Sequence, residues 1–147
     1  MAKNDCQKSG LAGELFVAAE LLKRNYQVSI TFGTAKAIDL FVYKEEIDYT
    51  FNVQVKTLRK SNCFLLNPFS VNQNHIYVFV LLNDVGEEIE YFPITGKEII
   101  EKKTELFSKS LADGHMPAIS IGKARKYKNN WGIFENLPIL KEAVLNS

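Results

Sequence analysis

The chain has 147 residues, 46% of them apolar and 24% charged, with a formal net charge of +1. That length and composition fit a single globular domain over 1–147 with a substantial core, and exclude a disordered or fibrous protein. The near-neutral charge excludes a global pull toward nucleic acid, so any such binding must come from a local patch.

Cys6 and Cys63 lie far apart without metal-ligand spacing, which predicts free thiols in a reducing, cytoplasmic setting. No apolar leader opens the sequence, and no apolar run approaches the ~18 residues of a membrane span. Secretion and membrane insertion are therefore not expected.

"LAGELFVAAELLKRN" (11–25) has the periodicity of a helix, with Ser9 or Gly10 as a start and Asn25 as a stop. "YQVSITF" (26–32) is rich in β-formers and reads as a strand ended by Gly33 and Thr34. "AIDLFVY" (37–43) and "YTFNVQVKT" (49–57) are strands joined by the charged link "KEEID" (44–48), which predicts an antiparallel hairpin. "CFLLN" (63–67) is a candidate short strand. "HIYVFVLL" (75–82), almost wholly apolar, reads as a buried central strand. "EIEYFPI" (88–94) reads as an edge strand, because Pro93 has no N–H to give a ladder. "GKEIIEKKTELFSK" (96–109) has an amphipathic helical pattern, "AISIG" (118–122) is a short strand candidate, and a closing helix is expected after Pro138. This order predicts a mixed sheet with helices packed on it.

If the hairpin turn is centred near 46–47, the numbers of facing residues sum to about 93–95. Asp39 then stands opposite 54–56 and shares a face with Gln54 and Lys56, while Leu40, Val42, Phe51, Val53 and Val55 form the core face. A solvated cross-strand Asp–Lys pair would explain these polar residues without any function. Phe41 and Tyr43 on the same side as Asp39 point instead to a partly covered face.

On the first helix, Glu14 falls in the middle of the apolar stripe of Leu11, Val17, Ala18 and Leu21. A carboxylate there needs a compensating partner, unless it simply lies in the first turn, where the helix dipole favours it. Together, Glu14, Asp39 and the amide oxygen of Gln54 make an oxygen-rich set suited to Mg²⁺ or Mn²⁺, to which the Val55 carbonyl could add a ligand. Lys56 beside them could orient a water or stabilise charge on a phosphate.

Glu14 on a first helix, then "IDL" (38–40), then "VQVKT" (53–57), resembles the PD-(D/E)xK nuclease superfamily, and "GELFVAAELLKRNYQVS" is especially similar to small bacterial members. The resemblance covers 9–57. It implies a restriction-endonuclease-like α/β fold, a mixed β-sheet flanked by helices with an αβββαβ-type core. It also implies a metal-dependent phosphodiester hydrolase, most readily an endonuclease acting on DNA. In that pattern Asp39 is the metal-binding Asp, Gln54 the (D/E) position, Lys56 the catalytic Lys and Glu14 the helix Glu. A homodimer is implied by the resemblance alone. Ile38 stands where the family has Pro. Gln54 stands where it has Asp or Glu, and brings an oxygen but no charge.

Arg59 and Lys60 follow the motif directly, and Lys123, Arg125, Lys126 and Lys128 interleave with Tyr127 and Trp131. These are the candidate nucleic-acid contacts; a solvated basic loop with Trp131 in the core is the other reading. His75 and His115 have no partner at metal spacing, and P-loop, dinucleotide and GxSxG patterns are absent, so no nucleotide cofactor is expected. Two other functions stay open: a catalytically inactive nuclease-fold module that binds DNA or assembles with protein, and an interaction protein with no nucleic-acid role.

Overall fold

The computed structural model describes residues 3–33, 37–107 and 116–136. The chain opens with helix α1 (Lys3–Lys23), then β1 (Gln27–Ile30), β2 (Leu40–Lys44), a 3-10 turn (Glu45–Ile47), β3 (Tyr49–Leu58) and β4 (Cys63–Leu65). It continues through β5 (His75–Leu81), β6 (Glu90–Thr95), α2 (Gly96–Glu101), α3 (Lys103–Leu106), β7 (Ala118–Ser120) and α4 (Ile121–Ala124), and then two 3-10 turns, Arg125–Tyr127 and Trp131–Phe134.

Five strands form one mixed sheet in the order β1-β2-β3-β5-β6, and β4 pairs with β7 as a separate ribbon. The sheet is antiparallel except at its centre, where β3 and β5 run parallel. This is a mixed α/β fold with the sheet flanked by helices, as the strand pattern predicts. The 44–48 link is tight because Glu45–Ile47 makes a single 3-10 turn and Asp48 takes the left-handed conformation (φ 45°).

At its centre the sheet is buried on both faces, which explains the unbroken apolar run of β5. Ile76, Val78 and Val80 pack with Val17, Ala18 and Leu21 of α1 and with Leu40, Val42, Phe51 and Val53. Tyr77, Phe79 and Leu81 face the other way into Phe64, Phe92, Ile94, Ile99 and Ile119. β6 is an edge strand, as Pro93 predicts. Trp131 belongs to the core beneath α1, 4% exposed, with the Arg24 guanidinium 5.1 Å over its ring. Lys44 and the Tyr26 hydroxyl both bind the Glu135 carboxylate and fasten this last turn to the hairpin. Among the described residues both cysteines are exposed and neither is in a disulfide, and no helix is long and apolar enough to cross a membrane.

Several sequence expectations need correction. α1 begins at Lys3 rather than residue 11, so Ser9 is no cap: it is buried mid-helix and donates to the Asp5 carbonyl at 2.7 Å. Asn25 does end the helix, in the left-handed conformation (φ 68°). Strands 26–32 and 37–43 are shorter than expected, since β1 stops at Ile30 and β2 starts only at Leu40. The helix over 96–109 breaks at Lys102 (φ −101°, ψ 20°) into α2 and α3, and its residues 108–109 lie outside the described residues, as do His115 and the helix expected after Pro138.

The inward line of α1 is Ser9, Gly13, Val17 and Leu21, with Ala18 beside it, whereas Leu11 is 48% exposed. Small residues at 9 and 13 let the helix approach β3 closely. A Cβ on Gly13 would lie 1.9 Å from Thr57 Oγ1 and 2.9 Å from Thr57 Cβ, while one on Gly10 would meet nothing within 4 Å. Both positions gain up to about 1 kcal/mol of helix propensity from alanine, but the clash at Gly13 costs about 1–3 kcal/mol. Gly13→Ala is therefore expected to lower the thermal midpoint and Gly10→Ala to hold or raise it. A Gly13→Ala midpoint at or above the native one would show that α1 has slack over β3.

Candidate active site

β2 faces β3 only from Leu40–Val53 to Lys44–Tyr49. β5 stays with β3 from Asn52–His75 to Leu58–Leu81. From Gln54 onward, β3 therefore has β5 on one side and has parted from β2 on the other. Asp39 stands at this fork. Its N–H donates to the Val53 carbonyl at 2.9 Å, one residue out of step with the Leu40–Val53 pairing, and its carbonyl accepts the Thr31 N–H at 3.0 Å. With that offset its carboxylate oxygen Oδ2 accepts the Val55 N–H at 2.7 Å. A side chain thus fills the place of the missing strand carbonyl. In an extended strand the N–H and C=O of one residue point to the same side, so the Val55 carbonyl is also directed at the fork.

Gln54 and Lys56 alternate with Val53, Val55 and Thr57, so they lie on the face away from α1, both partly buried. Gln54 Nε2 is 3.1 Å from His75 Nδ1 and 3.3 Å from the Tyr77 hydroxyl oxygen. That oxygen also accepts the Asn72 N–H at 2.9 Å. Lys56 is paired in register with Phe79. Burial holds the His75 imidazole below its ordinary pKa. Burial also raises the Tyr77 phenol, against the opposing pull of the Asn72 and Gln54 hydrogen bonds.

Glu14 arrives from the opposite face. α1 runs antiparallel to β3: Ser9 Oγ accepts from Arg59 Nε at 2.7 Å and Gly13 abuts Thr57. Glu14, the next residue and partly buried, is therefore level with Val55–Thr57. Because α1 starts at Lys3, Glu14 is far beyond the first turn, and the helix dipole does not account for it. The expectation that Asp39 shares a face with Gln54 and Lys56 is thus refined. The bonded Asp39 oxygen lies in the plane of the ladder at the sheet's margin, between the face of α1 and the face of Gln54 and Lys56.

Among the described residues no group of three or more His, Cys, Asp or Glu side chains forms a metal-binding cluster. An ion at the fork would rest on few carboxylates together with amide and backbone oxygens. Such a set suits Mg²⁺, which keeps several waters and binds through one or two carboxylates plus substrate phosphate.

Of the basic candidates, Arg59 and Lys60 are exposed just past the end of β3. The others lie against two acidic residues: Arg125 and Lys128 lie 3.6 and 3.4 Å from the Glu90 carboxylate, Lys126 lies 3.0 Å from the Glu105 carboxylate, and Lys123 donates to the Glu105 backbone carbonyl. Burial pushes the Glu90 carboxyl up, but Asn83, Lys128 and Arg125 outweigh it and hold it below the usual range. Part of this cluster's charge is therefore spent within the protein. His75 and Tyr77 were not singled out by sequence. Their spacing of two on a strand was visible, but their pairing with Gln54 depends on the parallel β3–β5 register, which no local pattern reveals.

Asp39→Ala leaves the Val55 N–H without its acceptor, and should cost about 1–2 kcal/mol in denaturant unfolding. Asp39→Asn keeps an acceptor oxygen and should cost about half that or less. Equal losses would mean that the carboxylate does not hold the fork.

With the fold and the fork described, the chain can be set beside known proteins. No family model matches it, and no curated protein does. Among solved structures it is similar to the bacterial homing endonuclease I-Ssp6803I, with a TM-score of 0.60 and 16% identity over 94% of each chain. That likeness spans nearly the whole of both proteins and establishes an endonuclease-like fold for this chain.

Proposed function

We propose that the chain is a divalent-metal-dependent endonuclease of PD-(D/E)xK type acting on DNA. The observation that carries this reading is the Asp39 carboxylate fixed on the Val55 N–H where β2 and β3 part, with Gln54 and Lys56 on alternate positions of the same strand. A fold shared with a homing endonuclease supports it. Asp39, the Gln54 amide oxygen, the Val55 carbonyl and Glu14 would hold Mg²⁺ or Mn²⁺. The ion would supply Lewis-acid charge at the scissile phosphate. Lys56 holds the attacking water and offsets negative charge on the phosphate as the P–O bond breaks. Arg59 and Lys60, beyond the end of β3, meet the neighbouring phosphates first; Lys123, Arg125, Lys126 and Lys128 add a weaker, partly neutralised contact.

A second reading is favoured by one feature. Gln54 lowers the charge of the site, which fits a nuclease fold that binds DNA without cutting it.

The test is a cleavage screen of the purified chain on duplex, branched and single-stranded DNA with Mg²⁺ or Mn²⁺, beside calorimetric Mn²⁺ titration. Cleavage by the native chain is expected. Lys56→Ala should lower the rate about 10²-fold or more while the Mn²⁺ heat persists, and Asp39→Ala should remove both. Native-level cleavage by Lys56→Ala would overturn the role given to that residue. DNA retardation with neither cleavage nor Mn²⁺ heat would favour the non-cutting module.

A further inference from the structure

A carboxylate offers a metal two equal oxygens, so it can turn over without consequence. An amide has one oxygen and one NH₂, and only one of its two orientations presents an acceptor to a cation. A site that uses Gln54 therefore needs something to fix which end faces the fork. The neighbouring strand provides it. His75 and Tyr77 stand beside Asn52 and Gln54 in the parallel register, and the Gln54 amide nitrogen lies within hydrogen-bond distance of both His75 Nδ1 and the Tyr77 hydroxyl oxygen.

We infer that His75 and Tyr77 are positioning residues that draw the Gln54 NH₂ toward β5 and leave its oxygen as the atom available to a cation beside Asp39. This rests on the metal-site reading above and deepens it. Neutral imidazole with a bare Nδ1 accepts one amide hydrogen. The phenol oxygen accepts the other at the same time as it takes the Asn72 N–H.

The rest of the surroundings hold these acceptors still. Tyr77 is 1% exposed, its ring packed among Phe64, Phe79 and Ile94. The loop that carries Asn72 is pinned under α2: a Cβ on Gly96 would lie 1.9 Å from the Asn72 carbonyl oxygen. The reverse amide orientation would require a proton on Nδ1, a turned phenol hydroxyl and an NH₂ facing the cation. Three groups would have to change together, so the orientation is set before any ion arrives.

The experiment is a set of Mn²⁺ titrations on His75→Leu, Tyr77→Phe and their combination, each made in the native chain and in Gln54→Glu, with thermal melts as a check on folding. In the native background the combined change is expected to weaken Mn²⁺ about tenfold or more, within the range for outer-shell partners of metal ligands. In the Gln54→Glu background the same change should move the affinity by less than about twofold, because a carboxylate has no wrong end. Equal losses in both backgrounds would mean that His75 and Tyr77 support the structure only, and would overturn the inference. No loss in the native background would overturn it too. If Asp39→Ala leaves the native Mn²⁺ heat unchanged, it is the metal-site reading that fails. A second readout needs no metal: nitrogen-15 NMR of the native chain should show His75 protonated on Nε2 and bare on Nδ1, and the opposite tautomer would sink the inference.

Discussion

The arrangement depends on one substitution of chemistry: a carboxylate does the work of a peptide carbonyl. Where β2 separates from β3, the Val55 N–H would be left without its ladder partner, and Asp39 Oδ2 takes it at 2.7 Å. A strand can end beside a continuing neighbour only if the exposed backbone groups find partners. Here the partner is charged. The fork is thus a structural necessity and a chemical opportunity in the same atoms: the group that lets the strands part is also fixed in place with an acid at the opening.

Burial on both faces at the sheet's centre decides to which side the other candidates point. β3 sends Val53, Val55 and Thr57 toward α1, and Gln54 and Lys56 to the opposite face, where both are partly buried. No single face carries all the polar groups. Beyond Val53 the sheet is one strand short on the side of β2. α1 can bring Glu14 to the level of Val55–Thr57 because Ser9 and Gly13 are small enough to bring the helix against the strand. The same layering places His75 and Tyr77 beside Gln54, within reach of its amide nitrogen.

Much of this was legible in the sequence. The hairpin register followed from the short polar link, and Leu40 does face Val53. β5 was readable as a central strand because both of its faces are apolar, and β6 as an edge because of Pro93. What was not legible depended on contacts distant in sequence. The start of α1 was missed because Lys3–Lys8 carries no apolar stripe, and the break at Lys102 because periodicity continues through it. The in-plane position of the Asp39 oxygen arises from the one-residue offset at Val53, and a period-two pattern cannot encode an offset. The neighbours of Gln54 come from a parallel crossover of β3 onto β5, and the intervening segment does not announce its partner. The basic cluster read as a patch from its sequence alone, yet Glu90 and Glu105 reach it from β6 and α3.

The seat of Gly13 against Thr57 has a consequence for how the protein can change. Packed branched side chains can trade volume with their neighbours, so a helix resting on them drifts as residues are exchanged. Here the main chain at Gly13 rests on the short side chain of Thr57, with no side chain on the helix's part to lengthen or trim. The elevation of the helix is thereby insulated from drift in the surrounding hydrophobic layers. Those layers are free to diverge widely while the distance from the helix to the strand margin stays constant, a geometry that can outlast the resemblance of the sequences that build it.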